Sequence, residues 1–403
     1  MPATTNPTES PIYLDNNATT RPRPEVVEAI SHAFQQAYGN PGSRHAAGRI
    51  ARQALEEARE TIAEILNASP QEVVFTSGGT EATNMALFGL SGPVPGPAGM
   101  VALPPGEHPA TEECARVMEA RGWRRAVLQI DAAGRLNQES LDQLPWDEIK
   151  LATALLAHNE TGTIQDLSRL SELCREHGVP LHVDAVQAVG KIDVDFHGLQ
   201  ATSLAVGAHK FCGPRGIGAL LIRDGVQLAP TQFGGHQEAG RRPGTECVAL
   251  AVGMAKALEL WHAEREELTG RLRNLRNRLA DGLRTECPPV LVNGPLERVE
   301  EDRSAEDHCL PNTLSIAFPG CSGDALMIAL DLEGVCCSLG STCASGSSEP
   351  APILLAMNRP REVYDATIRF SVGRENTAAE VNDAIQRIAR VVTRSRQLSS
   401  KDN

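Results

Sequence analysis

The sequence lacks any long apolar run. No stretch approaches the roughly 18 apolar residues that a bilayer-crossing helix needs, so no membrane span is expected. It also lacks a surplus of positive charge. Its 38 basic residues face 51 acidic ones, a net charge of −13. That balance argues against nucleic acid or an anionic membrane as the main partner. The local basic run Arg271, Arg273, Arg276 and Arg278 sits between leucines at helical spacing and reads as a solvated helix face. The N-terminus, MPATTNPTESP, lacks both the basic and the apolar region of a signal peptide. Residues 1–12 are expected to form a disordered arm, and the chain to be cytoplasmic. In a reducing compartment structural disulfides are rare, so the ten cysteines are expected as thiols.

What is present is a soluble, globular composition of 403 residues, long enough for two domains. From about residue 44 to 260 helical and strand patterns alternate. HAAGRIARQALEEARETIAEIL places Ile50, Ala54, Ala58, Ile62 and Leu66 at helical spacing. QEVVF, LATALLA, LHVDAV, SLAVGA and IGALLI read as strands, and Leu167, Leu170, Leu173 and Cys174 mark a helix stopped by Gly178 and Pro180. This alternation predicts an α/β fold: a mostly parallel sheet covered on both faces. A long helix with Leu268, Leu272, Leu275, Leu279 and Leu283 follows, then separated strands (TLSIAF, TIRFSV). The last helix opens on a capping box, Thr377 to Glu380. The expected division is a large domain over 13–260 and a smaller α/β domain over 261–403.

Parallel sheets bind ligands beyond their strands' C-terminal ends. Four such loops carry polar chemistry. TSGGTEATN turns on Gly78-Gly79 into a helix at Thr80; its free N–H groups suit a phosphate, or it is an ordinary glycine turn. AHNETGTIQD ends a strand with His158, Asn159 and Glu160. In HVDAVQAVGK, Asp184 closes an apolar strand ahead of Gln187, either as a helix cap or as a carboxylate awaiting a positive partner. In VGAHKFCGPRGIG, Lys210 lies between a strand and a Gly-Pro turn, in solvent or desolvated enough to form a Schiff base. Together, a phosphate cradle, a carboxylate for a ring N–H and a Schiff-base lysine match pyridoxal phosphate.

At this point the sequence resembles a cysteine desulfurase of the NifS/IscS type, a fold-type I pyridoxal-phosphate enzyme. The likeness runs from YLDNNATT (Tyr13–Thr20) to RFSVGR (Arg369–Arg374) and includes GNPGSRH, FTSGGTEATN, EH with His108, NETG, HVDAVQAVGK, HKFCGPRGIGAL, GGHQEAGRRPGT, PNTLSIAFPG and GSTCASG. The resemblance implies that Lys210 carries the cofactor's aldehyde, Asp184 pairs its ring nitrogen and Gln187 its ring hydroxyl. His108 stacks on the ring and moves protons. Gly79, Thr80 and His209 hold the phosphate, and Thr245 reaches the phosphate of a neighbouring subunit in a homodimer. Asn159 and Arg369 bind the substrate carboxylate; an arginine fork suits that task. L-cysteine gives L-alanine and a persulfide on Cys343, passed to an acceptor protein for iron–sulfur clusters or tRNA thiolation. Small residues around Cys343 (loop 338–350) suit a mobile sulfur carrier.

Three positions depart from the family pattern. Gly207 stands where a serine usually meets the phosphate, Ala239 where QERG has its arginine, and Pro243 where RSGT has its serine. Rival readings are a selenocysteine lyase, another fold-type I aminotransferase, or a sulfur-trafficking or scaffold-binding protein without catalysis. No metal site is expected, because His308, Cys309 and Cys321 form no recognisable ligand pattern. Cys336 and Cys337 end an apolar run and read as packing residues beside the single carrier, Cys343.

Overall fold

The structure is a computed structural model that describes residues 11–92, 98–298, 307–339 and 351–399. Cys343, with most of the expected carrier loop and the N-terminal arm, lies outside the described residues. The chain divides into two compact units. One comprises Thr19–Asn159 and Thr163–Glu267; the other comprises the start up to Ala18, Glu160–Gly162 and everything from Leu268 onward. The division falls inside a single helix, Val248–Glu286, which also contains the position near 260 where the pattern changes.

The larger unit is built on seven strands: β1 (Val73–Thr76), β2 (Met100–Leu103), β3 (Arg124–Val127), β4 (Ile149–Leu155), β5 (Leu181–Asp184), β6 (Ser203–Gly207) and β7 (Gly218–Ile222). Their order is β1-β7-β6-β5-β4-β2-β3. Only β7 runs against its neighbours. Sequences such as VVFT, MVAL and GALLI are buried at every position. They are apolar on both faces because helices cover both sides, which is why the parallel pattern was readable as continuous runs. The strands β2 and β3 were not anticipated; β3 (RRAV) is half exposed and carries two arginines, so it gives no apolar run.

The register decides which loops meet. Leu155 lies level with Asp184, and Asp184 with Ala205. Gly207 lies level with Gly218, and Gly218 with Thr76. The C-terminal ends of β1, β2, β4, β5 and β6 therefore open on one edge of the sheet.

Two sequence expectations need correction here. In the helix Ala46–Ile65 the buried stripe is Ala51, Leu55, Ala58 and Ile62, whereas Ile50 is 51% exposed. Ala58, Ile62 and Leu66 are buried as expected; only in the first turns do Ala51 and Leu55 take the inward places expected of Ile50 and Ala54. In the smaller unit, Arg276 is not on a solvated face but fully buried. Its Nη1 donates to the Leu310 carbonyl at 2.8 Å, and its Nε and Nη2 donate to Asn277 Oδ1. Periodicity alone assigns an arginine to water; a backbone carbonyl and an amide oxygen brought in by the fold satisfy it instead.

The smaller unit has a four-stranded antiparallel sheet in the order Ser338–Leu339, Thr367–Ser371, Thr313–Ala317, Leu291–Val292. A short parallel pair joins Ile12–Tyr13 to Val335–Cys336. Its core gathers Leu275, Leu279 and Leu283 with Ile316, Phe318, Phe370, Val381 and Ile388. The last helix, Ala378–Ser399, opens on the expected capping box: Thr377 N–H donates to Glu380, and Glu380 N–H to Thr377 Oγ1. The run LMIALDL belongs to a helix, Gly323–Leu332, and only Val335–Cys336 is strand.

Candidate active site

In the larger unit the strand-end loops bring together Asp184, His108 and Lys210. Asp184 closes β5 and is 4% exposed. Its Oδ1 accepts the Val186 N–H at 2.9 Å, so the turn, not a helix, takes the capping bond. Burial raises its pKa, while His108, the Val186 bond and Lys210 pull it down. Among the described residues no ion pair reaches Asp184. A buried carboxylate in this state is stabilised by any added cationic N–H donor.

His108 caps the helix Pro109–Ala120: its Nδ1 accepts the Ala110 N–H at 3.1 Å. In the neutral ring the proton therefore sits on Nε2. Burial lowers its pKa, with Asp184 opposing and Lys210 assisting. Lys210 ends the single turn Ala208–Lys210 directly after β6. Thr20 braces this turn: its N–H and Oγ1 donate to the His209 carbonyl at 2.9 and 2.8 Å, and its Oγ1 accepts the Cys212 N–H at 2.7 Å. Thr20 and Thr19, which contacts His209 Nδ1 at 3.2 Å, are site residues the sequence reading did not assign. They sit some 190 positions from Lys210, and only their place in the YLDNNATT block pointed to them. Burial, with Lys210, Arg215 and Lys191, pushes the His209 pKa down to about 4, so at neutral pH the ring is uncharged.

Gln187 is buried, and the Lys191 ammonium donates to its Oε1. An ammonium only donates, which fixes the direction of the amide. The helix Gly79–Leu90 begins at Gly78 with no side-chain cap, and Thr80 is exposed beside it. Three glycines make room there. A Cβ on Gly79 would lie 2.5 Å from Val186 Cγ2, one on Gly218 2.7 Å from Gly78 Cα, and one on Gly207 3.7 Å from the Gly79 nitrogen. The Gly207 side-chain direction thus faces the uncapped helix start. Asn159 is half-buried and follows β4; Thr245 is exposed on the loop before the helix Val248–Glu286.

The smaller unit holds Arg369, 6% exposed, in the strand Thr367–Ser371. Its Nη1 meets Glu160 Oε1 at 2.7 Å and its Nη2 meets Asp15 Oδ1 at 3.0 Å. The Ser338 hydroxyl donates to the same Asp15 oxygen at 2.8 Å. Asp15 and Glu160 were not assigned from sequence, although both stand in quoted blocks. Burial beside Asp15 pushes the Cys337 thiol up to about 12, and burial also raises Cys336. Neither is a thiolate at neutral pH, which suits packing residues. Among the described residues nine cysteines form no disulfide, and no group of His, Cys, Asp or Glu is arranged to hold a metal.

The aminotransferase class-V family matches residues 12–383. A cysteine desulfurase IscS of Clostridium botulinum is 36% identical over 96% of this chain and 96% of its own. A cysteine desulfurase of Trichormus azollae is 39% identical over 98% and 96%. A solved NifS-like protein superposes with a TM-score of 0.87 at 32% identity, over 95% of this chain and 99% of its own. Enzymes of this kind depend on pyridoxal phosphate. The larger unit fits that group on its own terms: a buried carboxylate with no ion pair among the described residues suits the ring nitrogen, an uncapped helix start walled by glycines suits a phosphate, and a lysine ends the turn after β6.

Proposed function

This chain belongs to the aminotransferase class-V family and to its cysteine desulfurases, and we propose that the work of removing sulfur from L-cysteine is divided among its residues as follows. Lys210 holds pyridoxal phosphate through its aldehyde. Asp184 pairs the ring nitrogen, Gln187 the ring hydroxyl, and His108 covers the ring. The Gly79 and Thr80 N–H groups, the Thr80 hydroxyl and His209 hold the phosphate, with Thr245 serving the phosphate of a second subunit in a homodimer. The exposure of Thr245 suits a role outside its own chain. When bound, the cofactor supplies an electron sink for charge left on the substrate's α-carbon.

Arg369 and Asn159 anchor the substrate carboxylate, and the Lys210 amine removes the α-proton. The Cys343 thiolate attacks the substrate sulfur. The carbon–sulfur bond breaks, a sulfur–sulfur bond forms, and the carbon skeleton takes up a proton from Lys210 or His108 and leaves as L-alanine. The sum is L-cysteine plus one thiol giving L-alanine plus one persulfide. The sulfur then passes to an acceptor protein in the cytoplasm. Cys343 precedes Arg369 by 26 residues (369 − 343), which resembles the longer-loop desulfurases that serve iron–sulfur scaffolds and tRNA thiolation.

The observation that carries this reading is the convergence of Lys210, Asp184 and His108, each within electrostatic reach of the others. The test is L-cysteine and a reductant added to the purified holoprotein. Alanine and sulfide are expected in equal amounts, with a persulfide on Cys343 by mass spectrometry. Cys343→Ala should keep the cofactor's absorption and lose both products. Full activity in that variant, or a persulfide on Cys336 or Cys337 instead, would sink the assignment. A keto acid in place of alanine would point to transamination.

A further inference from the structure

The turn that carries His108 is held by a residue the reaction above does not use. The Leu156 N–H donates to the Asp184 carbonyl at 2.9 Å, so Leu156 faces β5. N–H groups alternate along a strand, so the Leu155 N–H faces the other side, where β2 lies. The pairing of β2 with β4 runs only to Ala102 opposite Ala152, and β2 ends at Leu103. Leu155 is thus a buried donor one step past its partner strand, and a buried N–H without an acceptor costs free energy. Glu107 Oε1 accepts it at 2.8 Å. The preceding carbonyl, on Gly106, is contacted by the His158 ring Nε2 at 2.8 Å. The Pro104–His108 turn is therefore pinned at two neighbouring points, both supplied by β4 and its extension.

We infer that Glu107 is a positioning residue for this reaction: its carboxyl group replaces the missing strand partner of Leu155 and so fixes the His108 turn beside Asp184. The inference rests on the reading of His108 given above. The surroundings of Glu107 favour the uncharged acid. Glu107 is 5% exposed, and among the described residues no cation pairs with it. Burial, with Asp184 and Glu112 adding two acidic charges, raises its pKa well above the ordinary value. Its second oxygen and the Thr111 hydroxyl are both buried, and among the described residues neither makes a hydrogen bond within normal geometry. An ionised carboxylate there would also disfavour the charge on Asp184 that the cofactor's ring nitrogen requires.

Glutamine reproduces the shape, the acceptor oxygen and the neutrality of such an acid. The experiment compares Glu107→Gln, Glu107→Asp, Glu107→Ala and His108→Ala by steady-state kinetics and by hydrogen exchange of the full-length protein, with and without cofactor. Glu107→Ala should speed exchange in peptides covering residues 104–111 and 153–157, in both forms. Its kcat should fall by about 10- to 100-fold through misplacement of His108, with KM little changed. Glu107→Asp, one methylene shorter, should fall between, and remains informative if the alanine variant does not fold. Glu107→Gln should restore protection and activity to within about twofold of wild type. Unchanged exchange around Leu155 in Glu107→Ala, or a glutamine variant as impaired as alanine, would overturn the inference. A fully active His108→Ala with normal exchange would instead overturn the role given to His108 and leave the anchoring intact.

Discussion

The two units treat their charged site residues in opposite ways. In the larger unit Asp184 is buried with no ion pair among the described residues, and burial favours the uncharged forms of its neighbours His108 and Glu107. In the smaller unit Arg369 is equally buried, yet two carboxylates already pair with it. The first arrangement suits a ligand that brings a positive N–H. The second already has both Nη atoms engaged by carboxylates, so a substrate carboxylate bound there, as proposed above, would take over contacts that Asp15 and Glu160 now hold. The lesson is that burial without a partner points to a resident cofactor, and burial with exchangeable partners points to a transient substrate.

The comparison can be broken from either side. Arg369→Lys keeps the charge but loses the fork, and should raise KM for L-cysteine by about 10- to 100-fold with the cofactor's absorption unchanged. An unchanged KM would remove Arg369 from substrate binding. On the cofactor side, Gly207→Ser places a hydroxyl toward the uncapped start of the helix Gly79–Leu90. It should tighten pyridoxal phosphate binding about tenfold, read by titrating the cofactor-free protein. The new Cβ would lie 3.3 Å from Val186 Cγ1, so Gly207→Ser with Val186→Ala isolates the gain if that methyl group resists. Equal or weaker affinity in both variants would contradict the cradle. The smallest effect is expected for Asp15→Asn. It removes one anion competing for Arg369 while keeping an oxygen for Ser338, and should lower KM by about threefold. A raised KM would make Asp15 an orienting partner instead of a competitor.

Much of this was legible in the chain itself. The order strand, Gly78-Gly79; strand, Asp184; strand, Lys210 states the cofactor's needs in sequence order, because each group must sit at a strand's end and strand ends are marked by the loss of apolar runs. The capping box at Thr377 was legible for the same local reason. Other features were not. Ile50 and Arg276 were placed on the wrong sides because periodicity fixes a stripe only to within a residue and treats every arginine as a surface residue. Thr20, Glu107 and Asp15 escaped assignment because their functions lie in contacts with residues 48 to 354 positions away.

The sequence by itself determined the α/β pattern, the chemical inventory at the strand ends and the likeness to the desulfurases. These depend on local periodicity and on residue types at fixed spacing. Only the tertiary structure decided which buried groups have partners. It levelled Leu155 with Asp184 and ended β2 short of Leu155, and that mismatch turned Glu107 from one more acidic residue into the acceptor that holds the His108 turn. Partnering is a property of strand register, and register is set by the packing of the whole sheet.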